Sequence, residues 1–313
     1  MKQWTAIALT ALIIGFGVLG LPQNGRATGK IPVVVSIPPQ KYFVEAIGGP
    51  HIDVTVMIPP GHAPEIFEPK PAQMKQLASA TVYFAVGVPF ESVWLPRFSS
   101  FNPKMTIVHT DKGIEKQAIN RHDDQGPIHG IQKPHVHHDS AHHDAHHHHD
   151  CGISDPHIWL SPPLVKIQAR QILSGLIQAS PGLQPEFEVN YASFIDRLEK
   201  LDNDLQQLFA DHEGGLFLVF HPSWGYFADA YGLRQVSIEI DGKEPKAREL
   251  RSVIAYARDT GIRTIFVQPQ FSSQQARIIA SEIKGSLVNA DPLAENWFEN
   301  IRSVAAALND ALR

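Results

Sequence analysis

Of the 17 histidines in this 313-residue chain, eleven fall between His122 and His149. The densest part comprises His135, His137, His138, His142, His143, His146, His147, His148 and His149, with Asp139, Asp144 and Asp150 interspersed. Neutral imidazole binds zinc, copper and nickel, so a tract of this composition should collect such ions weakly and at several stoichiometries. Histidine, aspartate, glycine and proline dominate residues 121–151, which cannot build a core and are expected to form a mobile loop. The chain has one cysteine, Cys151, which excludes an internal disulfide and a cysteine-built zinc framework. A metal site here must use nitrogen and oxygen ligands.

A defined, tight site needs ligands on rigid elements. Short β-rich runs are read at Pro32–Ile37, Ile52–Ile58, Thr81–Gly87 and Met105–Val108, and again at Leu216–Phe220, Gln235–Ile240, Thr264–Val267 and Ser286–Asn289. Amphipathic segments starting near Gln40, Pro71, Phe90, Trp224, Lys246 and Ser273 separate them. Such alternation predicts an α/β chain of two lobes, each a parallel sheet of about four strands covered by helices. Between the lobes Phe187, Tyr191, Phe194, Ile195, Leu198, Leu201, Leu205, Leu208 and Phe209 recur at spacings of three and four. They predict one long linking helix over residues 185–212, opened by a tolerated first-turn Pro185 and stopped by Gly214-Gly215. The expected division is a signal peptide at 1–27, an N-terminal lobe at 28–184 containing the histidine loop 121–151, the helix at 185–212, and a C-terminal lobe at 213–313.

Open parallel sheets place their ligands beyond the carboxyl ends of the strands. Ligand-capable residues follow strands, or close the first lobe, in four places. A proline-ordered loop, Pro59 to Pro69, offers His62, Glu65 and Glu68; Asp155-Pro156-His157-Ile158-Trp159 fixes His157; His221 follows the strand ending at Phe220; and Asp291 follows Asn289. Residues from both halves are therefore expected to converge on one face, as an interlobe metal site requires. Asp155 and Glu91 fit either supporting roles around such a site or helix caps and surface carboxylates. Trp159, Trp224, Tyr226 and Phe227 are read as packing around it.

Lys2, the apolar stretch Thr5–Leu21 and the small residues Gly25 and Ala27 read as a secretory signal peptide cleaved after Ala27. With no cysteine near the cut to carry a lipid, the expected product is soluble in the periplasm. The 27 basic and 32 acidic residues sum to −5, without the basic excess of a nucleic-acid binder.

The sequence resembles the ZnuA/TroA-like family, metal-binding solute-binding proteins of bacterial ABC importers for zinc or manganese. The resemblance rests on Asp155-Pro156-His157-Ile158-Trp159-Leu160-Ser161-Pro162, His221 with Gly225-Tyr226-Phe227 and Tyr231-Gly232-Leu233, and Val267-Gln268-Pro269-Gln270-Phe271-Ser272. Val86-Gly87 with Glu91 and Trp94, and Ile240-Asp241-Gly242-Lys243-Glu244-Pro245, extend it. It implies His157 and His221 as ligands and Asp291 as a fourth, a permease of the inner membrane as partner, and a monomer. The first ligand departs from the family pattern: Phe67-Glu68-Pro69 aligns Glu65 with the usual histidine position, leaving Glu65 or His62 to coordinate, or an open position filled by water or a loop histidine. Zinc is the expected ion, given the histidine loop, with manganese or iron(II) accommodated by a more oxygen-rich shell. Competing expectations are a periplasmic metal chaperone or buffer and a secreted metallohydrolase, although the chain has no His-Glu-x-x-His helix.

Overall fold

The computed structural model describes residues 29–119, 154–239, 245–271 and 274–313. The expected signal peptide, the histidine-rich tract and Cys151 lie outside the described residues. Eight strands are described: β1 Ile31–Val35, β2 Ile52–Val56, β3 Val82–Ala85, β4 Thr106–His109, β5 Leu216–Val219, β6 Arg234–Ser237, β7 Thr264–Val267 and β8 Ser286–Asn289. They form two four-stranded parallel sheets of the same order, β2-β1-β3-β4 and β6-β5-β7-β8. In each, the chain moves from its first strand to one neighbour and then returns to the other side, which opens a crevice at the strands' carboxyl ends.

Helices cover both sheets: α1 Pro38–Gly48, α2 Pro71–Leu77, α3 Pro89–Phe101, α4 Pro162–Ala179, α5 Gln184–Phe209, α6 Gly225–Ala230, α7 Ala247–Asp259, α8 Gln274–Ile283 and α9 Trp297–Ala311. The second sheet shows why its central strand β5, Leu-Phe-Leu-Val, is apolar throughout. Phe217 and Val219 of β5 join the main core, while Leu218 beside them, and Phe220 just after the strand, join a separate cluster with Val253 of α7 and Ile279 of α8. Successive side chains point to opposite faces, and both faces are covered.

The linking helix α5 has 26 residues, about 39 Å of rise, and runs from Gln184 rather than Pro185 to Phe209 rather than His212. It buries Phe187, Phe194, Leu198, Leu201, Leu205 and Phe209, the seam read from the sequence. That seam ends at Phe209, and residues 210–211 turn toward β5, with His212 N–H bonded to the Phe209 carbonyl. The helix packs on α1, α4 and α9, so elements from both lobes share it.

Helices α4 and α9 were not foreseen in the sequence reading. In α4 Val165, Gln168, Ala169, Ile172 and Leu176 are buried at helical spacing. Gly175 lets the helix lie against the first sheet, since a Cβ there would stand 2.7 Å from Phe84 Cε1 and 2.9 Å from Val108 Cγ2. The helix matters for the site because the segment bearing His157 leads directly into its proline start at Pro162.

Candidate metal centre

His157 precedes a one-turn 3-10 helix, Ile158–Leu160, whose three side chains are fully buried. Trp159 anchors this turn to the other lobe: its Nε1 donates to the Pro292 carbonyl and its own carbonyl accepts from Trp297 Nε1, each at 2.7 Å. Tyr226 Oη donates to the Asp155 carbonyl at 3.0 Å, a third tie across the lobes. His221 lies two residues beyond the end of β5, with its backbone N–H and carbonyl both bonded to the side chain of Gln268 beyond β7. Glu65 sits in a turn of the loop after β2. Each candidate thus stands near the carboxyl end of a sheet or at the crossing between lobes.

One nitrogen of each imidazole is committed to a carboxylate. His157 Nδ1 lies 2.7 Å from Asp155 Oδ1, which also accepts the His157 backbone N–H at 2.9 Å. His221 Nδ1 lies 2.5 Å from Glu239 Oε2. An ionised carboxylate only accepts, so it selects the Nδ1–H tautomer and leaves the Nε2 lone pair as the outward donor. Both Nε2 atoms then face Glu65 Oε1, at 3.9 Å from His157 and 3.7 Å from His221.

These three residues offer ligand atoms within 4.8 Å of one another, the one such group of three or more His, Cys, Asp or Glu among the described residues. His221 Nε2 and Glu65 Oε2 are buried without a hydrogen-bond partner among the described residues. Leaving a buried polar atom unpaired costs about 1–3 kcal/mol. A divalent cation between the imidazoles and this carboxylate would give His221 Nε2 a partner. With zinc bonds of about 2.0–2.2 Å, tetrahedral ligands lie about 3.4 Å apart, so Glu65 needs to approach by only a few tenths of an ångström. Phe271 stacks on the His221 ring with centroids 4.7 Å apart, and Trp159 lies 5.2 Å from His157. Both rings are held dry and oriented.

The family model described as zinc-uptake complex component A, periplasmic (ZnuA), matches residues 33–311. The chain belongs to the ZnuA family. Zinc-binding protein AdcA of Streptococcus pyogenes is 30% identical over 276 residues, covering 82% of this chain and 49% of AdcA. The chain therefore spans about half the length of the curated relatives it matches first. A crystal structure of ZnuA is similar with a TM-score of 0.79 at 35% identity, covering 91% of this chain and all of that one. A ZnuA deletion mutant with zinc bound gives 0.77 at 35% identity, covering 90% and 98%.

Within this ZnuA-family fold, the two first-loop alternatives separate. Glu65 joins His157 and His221. His62 is exposed, its Nδ1 faces the Pro60 carbonyl at 3.3 Å, and its ring packs edge-on against Phe67. Asp291 stands outside the three-residue group: its Oδ1 accepts from Gln270 Nε2 at 2.7 Å and from the Leu293 backbone N–H at 2.9 Å. Glu68, also a loop candidate, is not in the group. Asp155 is buried and meets both the backbone N–H and the Nδ1 of His157, so it is neither a helix cap nor a surface carboxylate. Glu239 was missed. The strand had been read through to Ile240, whereas β6 ends at Ser237 and delivers Glu239 to the loop face. The rule that acidic residues just beyond a strand's carboxyl end are candidates would have found it.

Glu91 does not reach the metal group. Its carboxylate accepts from Ser36 Oγ at 2.5 Å, Val86 N at 2.9 Å and Gly87 N at 2.7 Å, fixing the turn between β3 and α3. Burial pushes its pKa up to about 7 against the pull of these three donors, and the charge of Asp111 adds to the rise. A raised carboxyl pKa means that folding takes up a proton, so the favourable contribution is complete below the ordinary carboxylate range and is lost as pH rises to about 7. Urea titrations of the wild type and Glu91→Gln are expected to show a stability difference that shifts against the wild type between about pH 4.5 and 7. A difference independent of pH would contradict the assignment.

Proposed function

We propose that this chain is the extracytoplasmic solute-binding component of a zinc importer. It captures Zn²⁺ between its lobes through Glu65, His157 and His221 and delivers the ion to an ABC permease of the inner membrane. The observation that carries the reading is the convergence of two carboxylate-oriented imidazole Nε2 atoms on Glu65 Oε1, with His221 Nε2 buried and unpaired. Family membership supports it: the family is described as a periplasmic zinc-uptake component, a similar solved structure has zinc bound, and AdcA is a zinc-binding protein. The role is capture and hand-over, without a catalytic step.

The rest of the proposal follows from the sequence. The mature chain begins after a signal peptide ending at Ala27 and uses the tract His122–His149 as an auxiliary collector that raises local ion supply; that it acts as a monomer is implied by the family resemblance alone. Two imidazoles with one carboxylate suit zinc, while an oxygen-rich completion of the shell would admit manganese or iron(II) more readily.

The test is a competition titration with a zinc chelator on the chain lacking 122–149, alone and with first-loop substitutions. One tight zinc is expected to remain. Glu65→Ala should weaken it by about a hundredfold, or about 2.7 kcal/mol, while His62→Ala should leave it unchanged. If tight binding disappears with the tract alone, the chain is a metal buffer and the interlobe site is not its function.

A further inference from the structure

Three protein ligands leave a tetrahedral ion one position short. The neighbouring group with an uncommitted oxygen is Gln270, in the segment after β7. Its Nε2 donates to Asp291 Oδ1 at 2.7 Å. The same oxygen accepts the Leu293 backbone N–H at 2.9 Å, and the Asp291 carbonyl accepts from Asn300 Nδ2 at 2.8 Å, so Asp291 is itself held from two sides. A carboxylate accepts and does not donate, which fixes the amide with its NH2 toward Asp291 and its Oε1 at the opposite end. Gln270 Oε1 is buried and has no donor among the described residues. Gln270 lines the same pocket as Glu65, His157 and His221.

We propose that Gln270 Oε1 supplies the fourth donor to the captured cation, and that Asp291 is a positioning residue acting through Gln270 rather than a ligand. This inference rests on the metal-capture reading above. It replaces a second ligating carboxylate by a neutral amide oxygen, so the ion is held by one carboxylate charge, two imidazoles and one amide. The negative charge of Asp291 is spent on orienting that amide. Asp291 then matters for its acceptor geometry and not for its charge at the metal.

That distinction is testable in the chain lacking 122–149, using zinc affinity and the visible spectrum of bound Co²⁺, which reports the donor set. Gln270→Ala should weaken zinc by about 10–100-fold and alter the cobalt band; Asp291→Ala should do about the same. The double variant should be no weaker than either single one, because both remove one contact. Asp291→Asn keeps an oxygen that can accept from Gln270 and Leu293, and should restore nearly the wild-type affinity and spectrum. The proposal is overturned if Gln270→Ala leaves affinity and spectrum unchanged. It is equally overturned if Asp291→Asn is as damaging as Asp291→Ala, which would make Asp291 a ligand. Loss of tight zinc from the unsubstituted protein would instead overturn the capture reading itself.

Discussion

His221→Ala is expected to weaken zinc binding by about a thousandfold, or about 4 kcal/mol, while leaving the fold intact. The ring lies beyond β5, buried between Phe271 and the His157 ring, and its Nε2 has no protein partner to lose. Removing it deletes one of the proposed ligands and leaves Glu239 buried without its imidazole. Glu239→Gln should show how the ring is tuned. The amide can still meet Nδ1, but it no longer enforces the Nδ1–H tautomer, and a loss of about 10–100-fold is expected. Calorimetric titration of both variants against the wild type measures the ratio. Equal losses for His221→Ala and Glu239→Gln would mean that Glu239 does more than orient the ring, and an unaffected His221→Ala would remove it from the site.

The second large effect falls on stability. Trp159→Ala is expected to cost about 3–5 kcal/mol, because a fully buried indole is replaced by a cavity between the lobes. Thermal unfolding should move down by about 5–10 °C for a chain of this size. Trp159→Phe keeps most of the apolar bulk and forfeits the bond to the Pro292 carbonyl, so a cost of about 1–2 kcal/mol is expected. Zinc affinity should fall in both variants by less than in His221→Ala, since His157 loses its anchor but not its donor atom. Unchanged melting of Trp159→Ala would show that the lobes are not joined through this turn.

Much of this architecture could be read directly in the residues. All eight strands lie where the β-rich runs place them, within a few residues; the clearest are β1, β3 and β5, whose burial on both faces goes with an apolar run. The linking helix was legible for a related reason: nine apolar residues at spacings of three and four leave one helical seam. Helix α4 escaped because its start, Pro162-Pro163, reads as a break, and because its closest contact with the sheet is made by Gly175, a residue that weakens a helical pattern. The candidate metal group was legible where chemistry is local, as in Asp155-Pro156-His157. It was ambiguous where it is not. Sequence spacing alone does not separate Glu65 from His62, three residues apart, and only the turn after β2 shows which of them faces the two imidazoles. Glu239 meets His221 across 18 residues, a pairing that neither residue's local sequence shows, and Gln270 lies inside a quoted motif without the motif showing that its amide is held by Asp291.

The central claim is that one zinc is held by His157, His221 and Glu65. A crystal structure of the zinc-loaded chain lacking 122–149, with anomalous data at the zinc edge, tests it most directly. The expected result is a single strong peak about 2.0–2.2 Å from both Nε2 atoms and a Glu65 oxygen. A zinc coordinated by other residues, with His157 and His221 still bonded only to Asp155 and Glu239, would contradict the account.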